Sequence, residues 1–336
     1  MQTFHPKFCY LLLSFVCFPF FSFGQSNTDL SLLEPADSFH STRFWTCAIG
    51  GGLVYSGFSI ALYESWYKDY ELVPFHTFDD LGEWRNMDKM GHFFTAAMES
   101  RLSFGGAMWT GMDRRKAMWT GAGVGFLLQT TVEVMDGFSE KWGFSWADVG
   151  FNTLGVGFFV GQEIAWQEQR ITLKVSHTRP NYNNEPVPSA NGLAFSSPQQ
   201  RANELYGTGF FETFLKDYNG MTIWASFNLH SFLPPNKQTG HFPKWLNLAI
   251  GYGVDGLYGG YGNTWTDEAG NAFTLAEDAF PRSTQFYLSL DIDLTRIPTK
   301  HRWLKTAFNA LHWIKIPAPT LEINTLGKVR GYGMYW

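Results

Sequence analysis

The run Ile171-Thr172-Leu173-Lys174-Val175-Ser176 is where the chain changes its period. Before it, apolar residues come in long uncharged stretches rich in glycine. Within it, they alternate one by one with polar residues, the pattern of a half-buried strand. Alternation returns at 221–229 and at 246–254. It is clearest at 286–294, where Phe286, Leu288, Leu290, Ile292 and Leu294 alternate with Tyr287, Ser289, Asp291 and Asp293. Leu321 and Ile323 begin a last segment of this kind. Such strands pair antiparallel, and the Pro/Asn/Ser-rich stretch 178–200 reads as a loop between them. Five or six strands are too few to close an outer-membrane barrel, for which eight is the bacterial minimum. The ending Gly331-Tyr332-Gly333-Met334-Tyr335-Trp336 nevertheless resembles the aromatic close of a barrel strand, so a part in an outer-membrane β-barrel stays as an alternative.

Working back from the switch, helices are expected from Ser145 to Trp166, from Ala117 to Val132 and over Asp88–Trp109. Phe44 to Tyr63 carries no charge and is long enough to cross a bilayer, although Gly50-Gly51-Gly52 weakens it as a helix. Gly121-x-x-x-Gly125 and Gly157-x-x-x-Gly161 each put two small positions on one helix face, where backbones can approach closely. The expected fold class is therefore α+β. A glycine-rich apolar helical bundle (44–168) precedes an antiparallel β region of five to six strands (169–336).

Two segments precede the bundle. Lys7 is the only formally charged side chain before Asp29, an apolar stretch runs from Phe8 to Phe23, and Ser22-Phe23-Gly24 offers small residues for cleavage. Residues 1–24 thus read as a secretory signal peptide and 25–43 as a flexible segment. Cys17 follows Phe15-Val16, so it lacks the small residue that a lipidated cysteine needs before it. Cys9 and Cys17 leave with the leader and Cys47 remains alone, which excludes an intrachain disulfide and a cysteine-rich metal site. The export signal assigns the chain to the envelope, in the periplasm or at the outer membrane. A polytopic inner-membrane topology is disfavoured. It would put the acidic loop 64–87 inside and the basic turn Arg114-Arg115-Lys116 outside, against the positive-inside bias.

Composition narrows the function classes. Aromatic residues make up 18% of the 336 residues and charged residues 16%, with a formal net charge of −5. That balance excludes intrinsic disorder and a nucleic-acid partner held by bulk charge. No phosphate-binding glycine loop followed by a helix, no Gly-x-Ser-x-Gly and no His-Glu-x-x-His occurs, so no nucleotide is expected. Trp265, Tyr258 and Tyr261 could stack on sugars or lie in a lipid interface, but turn packing explains them as well.

Polar residues gather instead in the helical half. Asp88-Lys89-x-x-His92-Phe93 puts Asp88 and His92 one turn apart, Glu133-x-x-Asp136 ends the next helix, and Gly143-x-Ser145-Trp146-x-Asp148 opens the third, followed by Asn152. Antiparallel packing would bring them to one end of the bundle. Imidazole with carboxylates could hold a divalent metal, with His92, Asp88, Glu133 and Asp136 as ligands. Alternatively, Asp88, His92, Glu133, Asp136 and Asp148 could perform acid–base catalysis. A structural explanation exists for each. Ser145-x-x-Asp148 is a capping pattern, Asp88 suits a helix start and can pair with Lys89 or His92, and Glu133 can reach His92 or Lys89. The expectation is a structural polar network without a cofactor.

These motifs, in this order over roughly 88–160, resemble the YfiM-type family of predicted periplasmic lipoproteins of unknown function, in its long form with a β-rich tail. A fainter similarity links Asp88-Lys89-x-x-His92, Glu133, Asp148 and Asn152 to the VanZ-like membrane family, although Asp136 stands where that family has other residues. The resemblance implies an envelope protein. Together these readings point to a non-catalytic structural or interaction component at the periplasmic side of a membrane, meeting membrane lipid or an envelope protein. The alternative is a metal-dependent hydrolase acting on lipid or cell-wall material.

Overall fold

The computed structural model describes residues 33–336 except 69, 235–237 and 239–241; the expected leader 1–24 and residues 25–32 lie outside the described residues. Four long helices come first: α1 (Ser41–Leu62, running into a π-helical turn Tyr63–Tyr67), α2 (Met87–Trp109), α3 (Arg114–Asp136) and α4 (Trp146–Trp166). Three have side-chain caps. His40 accepts from the Arg43 amide, Asp113 from those of Arg115 and Lys116, and Ser145 from that of Asp148. α2 begins differently, after three left-handed residues, Trp84, Arg85 and Asn86, at φ 48°, 52° and 60°. Long-range bonds hold this bend: Arg85 Nη2 donates to the Arg282 carbonyl (2.8 Å), and the Trp84 amide to that of Gly260 (2.9 Å). Backbone strain of this kind persists only where surrounding structure fixes it.

Helix packing uses glycine as expected on one helix and differently on another. A Cβ on Gly121 would lie 2.5 Å from the Ser100 carbonyl oxygen, and one on Gly125 2.3 Å from Ser100 Oγ, so α3 lies directly on α2. Gly157 and Gly161 face open space. On α4 the close contact falls at Gly155, where a Cβ would meet the Phe93 carbonyl oxygen at 2.3 Å. The residues leading into α1 dock onto the end of α2: the Ala36 and His40 amides donate to the carbonyls of Trp109 and Thr110 at 3.2 and 2.8 Å.

The second half is built on a six-stranded antiparallel sheet with its strands in sequence order, with short helices and two small ladders in its connections, which makes the fold α+β. The strands are β1 (Ile171–His177), β2 (Met221–Asn228), β3 (Leu246–Asp255), β4 (Ser283–Ile292), β5 (Ala318–Asn324) and β6 (Val329–Tyr335). The stretch 178–200 contains a small ladder, Val187–Pro188 with Phe195–Ser196. Trp265 and Tyr258 are buried in a satellite cluster and only Tyr261 is exposed, so turn packing accounts for most of these aromatics.

The sheet curls strongly. Tyr335 on β6 comes within 4.8 Å of the Tyr287 ring and 6.1 Å of the Trp224 ring. Residues 313–315 run along the free edge of β1, with the Val175 amide donating to the Trp313 carbonyl and the Lys315 amide to that of Val175. Registers then define two rows. Lys174, Trp224, Gly251, Tyr287 and Glu322 lie side by side on the concave face; Leu173, Ala225, Ile250, Leu288 and Leu321 lie on the convex face. The concave side is sealed and charged: Lys174 Nζ is 2.7 Å from Asp291, and Lys174, Asp291, Lys315 and Glu322 are at most 1% exposed. On the convex side, α2 covers Leu173, Val175, Ile223 and Val254 with Met87, Phe94 and Ala97. Beyond α2, Ile250, Phe286, Leu288, Leu290, Leu321 and Ile323 remain 42–51% exposed. The alternation seen in sequence is real, but over β4 and β5 the polar residues are inside and the aliphatic ones outside.

Among the described residues, α1 is the one helix long and apolar enough to cross a membrane, and no residue of its apolar window is buried.

Candidate functional site

The start of α2, the end of α3 and the start of α4 meet at one pole. The Lys89 side chain, fully buried in the first turn of α2, is its centre. Its Nζ lies 2.6 Å from Asp80 Oδ2, 2.7 Å from Asp148 Oδ1 and 3.0 Å from Asp88 Oδ2. Ser145 explains part of this placement. Its Oγ accepts from the Asp148 amide (3.1 Å) while its hydroxyl donates to Asp80 Oδ1 (2.6 Å), so one cap residue fixes both the helix start and the 77–80 strap. Asp148 does not complete the reciprocal capping pattern; its carboxylate turns to Lys89 instead. Tyr218, from the β half, donates to Asp88 Oδ1 at 2.9 Å and ties the two halves together.

One turn further along α2, His92 takes the second layer. Its Nδ1 lies 3.2 Å from Asn152 Oδ1 and 3.3 Å from Glu133 Oε1; its Nε2 lies 3.7 Å from Asp148 Oδ1 and 3.9 Å from Asp88 Oδ1. Glu133 is fully buried. At 3.3 Å the imidazole is near enough for ionic attraction, yet among the described residues neither Glu133 oxygen has a hydrogen-bond donor in good geometry. Four of the five residues expected to converge, Asp88, His92, Glu133 and Asp148, therefore do so. Asp136 stands apart: its Oδ1 accepts from Tyr67 OH at 2.6 Å and fastens the turn after α1.

Electrostatics follow from burial and crowding. Burial opposes the charge on His92, but Asp88, Asp148 and Glu133 outweigh it and push its pKa up to about 9. Burial likewise opposes the Lys89 charge, and Asp88 and Asp148 more than restore it, so the pKa is raised. Burial pushes Glu133 up to about 8 and Asp136 to about 7. Asp148 rises to about 6, again chiefly through burial. Burial also opposes ionisation of Asp88, but His92 and Lys89 hold its pKa below the usual range. At neutral pH the pole thus carries two cations against carboxylates that are only partly ionised.

The arrangement can hold charge in two ways. Asp88, His92 and Asp148 offer ligand atoms within 4.8 Å of one another, a span that a divalent metal could bridge. Lys89 already neutralises two of these carboxylates with an ammonium less than 3.1 Å away, which fits an ion-pair hub better than a metal centre. Spacing alone did not reveal Asp80 or Tyr218. Asp80 is one of several acids in a loop, and Tyr218 lies 130 positions from its partner.

The geometry defines an α+β protein whose helices α2, α3 and α4 meet at a buried ionic hub and are joined to an inverted sheet. Residues 77–161, which contain the whole hub except Tyr218, match the model of a family described as predicted periplasmic lipoprotein (DUF2279). The match spans about a quarter of the chain and supports an exported, periplasmic, membrane-associated protein of unknown function. No curated protein and no solved structure matches the chain.

Proposed function

We propose that this chain is a non-catalytic, membrane-seated structural component of the envelope, with the convex face of its sheet against lipid. The observation that carries the reading is the inverted sheet. In water, half-exposure of Ile250, Phe286, Leu288, Leu290, Leu321 and Ile323 forgoes roughly 5–9 kcal/mol of burial, taking about 1.5–3 kcal/mol for each complete side chain. Enclosing Lys174, Asp291, Lys315 and Glu322 on the other side is the opposite of what an aqueous surround favours. Aliphatic-out and charged-in is the pattern of strands that face lipid. The exposed apolar surface of α1 supports the same reading. The family match fits a periplasmic, membrane-associated protein, and we take the outer membrane as the site of attachment. In this account the Lys89 hub holds three helices and residues 77–80 in register beside that surface.

The test is flotation of the full chain, diluted from detergent, with phosphatidylcholine vesicles. The chain rises with the vesicles; a chain that stays at the bottom of the gradient contradicts the reading.

One observation favours a second reading. Glu133 is buried without a good donor beside the Asp88–His92–Asp148 group, where its carboxylate could serve a metal-dependent hydrolase of lipid or cell-wall material as ligand or general base. Elemental analysis separates the two. A structural hub retains no stoichiometric metal, whereas one bound zinc or manganese lost in His92→Ala would replace the first account with the second.

A further inference from the structure

Opposite the Lys89 hub, the molecule has a second pole, where α1 begins, α2 ends, α3 begins and α4 ends. Arg114 Nη2, at the head of α3, joins it to the end of α4 through Glu163 Oε2 at 2.6 Å. A ten-residue helix, Arg302–Leu311, is attached here. Its Arg302 Nη2 lies 2.6 Å from Glu34 Oε1, in the segment leading into α1.

This helix is amphipathic. At 100° per residue, Trp303, Leu304, Ala307, Phe308, Ala310 and Leu311 share one arc, and Arg302, Lys305, Thr306 and Asn309 share the other. The protein covers only part of the apolar arc. Leu304, Ala307 and Phe308 are half-buried, while Trp303 and Leu311 stay exposed, and no residue of the helix is buried.

Its charge has one sign. Lys300, Arg302 and Lys305 fall within six positions, and no acidic residue occurs between Asp293 and Glu322. The head of α3 adds exposed Arg115 and Lys116, with exposed Trp119 one turn further on. The end of β4 reaches the same pole: it stops at Ile292, and Arg296 just beyond it lies 2.6 Å from Glu168, just beyond the end of α4.

Exposed indoles and cations at the rim of an aliphatic wall suit the boundary between headgroups and acyl chains: the ring sits at the boundary and the ammonium groups meet phosphate oxygens. We infer that Arg302–Leu311 lies in the headgroup layer of an anionic phospholipid leaflet, with Trp303 and Leu311 turned to the acyl chains and Lys300 and Lys305 on the phosphates. The inference rests on the membrane-seated reading and adds to it an orientation and a lipid class. Charge complementarity decides the occupant, because the apolar stripe of this helix lies in a segment with Lys300 and Lys305 and without an acidic residue, which matches an anionic leaflet.

The experiment compares flotation of the full chain with vesicles of phosphatidylcholine and with vesicles in which about a third of that lipid is replaced by phosphatidylglycerol. The parent partitions more strongly into the anionic vesicles, and salt weakens the preference. Lys300→Gln with Lys305→Gln lowers partition into the anionic vesicles by about 30-fold, at about 1 kcal/mol for each lysine. The same variant still floats with phosphatidylcholine. Trp303→Ala weakens binding to both compositions. Equal partition of the parent into both vesicles, a double variant that keeps the anionic preference, or an unaltered Trp303→Ala overturns the inference and leaves the seating intact. Failure to float with either vesicle removes the seating itself, and the inference with it. An anionic preference seen only with an added acidic protein, never with lipid, would assign the helix to a protein partner and also overturn it.

Discussion

Replacing Lys89 by methionine removes one charge and keeps most of the side-chain volume. In the parent, Nζ lies within 3.0 Å of carboxylates from Asp80, Asp88 and Asp148, and the side chain is fully buried. The variant leaves these carboxylates facing one another without their shared cation. Breaking a buried pair by removing one partner costs about 3–5 kcal/mol. For a chain of this length, about 2 °C of melting temperature corresponds to each kcal/mol, so a fall of roughly 6–10 °C is expected at pH 7. The sign of the pH response follows from linkage. Without the ammonium, Asp148, already raised by burial, loses a cation that lowers it, so the folded state binds more protons than the unfolded one and stability rises as pH falls. Melting followed by intrinsic fluorescence in mild detergent, at pH 7 and at pH 5, reads both effects. Lys89→Arg, which keeps the charge, loses less. A Lys89→Met protein that melts within a degree of the parent, or that loses further stability at pH 5, would refute the hub.

The parent has its own pH signature. His92 is raised to about 9 from an ordinary value near 6.5, and Glu133 to about 8 from one near 4.5, so both hold extra protons in the folded state. The stabilisation from Glu133 is complete below pH 4.5 and lost as pH rises through 8, and that from His92 is complete below 6.5 and lost through 9. Melting temperature should therefore fall from pH 5 to pH 9, and Glu133→Gln should flatten the part below pH 8; an unchanged profile in that variant contradicts the assignment. Two glycines on α4 should respond with opposite signs. Gly155→Ala forces a Cβ to 2.3 Å from the Phe93 carbonyl oxygen and destabilises by about 1–3 kcal/mol, whereas Gly157→Ala enters open space and gains about 0.5–1 kcal/mol of helix propensity. Equal shifts of the same sign would show that α2 and α4 are not in this contact.

Much of this architecture could be read before any coordinates. Long uncharged stretches marked α1, α3 and α4, a run of mixed polarity with Asp88 and His92 one turn apart marked α2, and alternation marked β1 to β5. Asp88, His92, Glu133 and Asp148 could be brought together because helix ends of similar length meet when packed antiparallel. Three things could not be read. Alternation gives the period of a strand but not which side is covered, so the outward aliphatic row at Leu288 and Leu321 and the inward charges at Asp291 and Glu322 required the curl of the sheet. Spacing cannot choose between glycines two residues apart, and α2 docks on Gly155 rather than Gly157. Asp80 and Tyr218 belong to the hub through contacts made across the fold, with no local pattern to mark them, and Asp136 left the cluster because Tyr67 was nearer.

The lipid-facing sheet is tested most directly by site-directed spin labels, one per protein, in a cysteine-free background reconstituted in vesicles. Labels at Ile250, Leu288 and Ile323 should be accessible to dissolved oxygen and shielded from a water-soluble nickel chelate. A label at exposed Lys328, beyond the end of β5, should show the reverse. Oxygen-favoured collision at the first three positions bears out a sheet whose outer face meets acyl chains. Ready access of the nickel reagent to Leu288 and Ile323 would mean that the aliphatic wall faces water, and the membrane-seated account would fail.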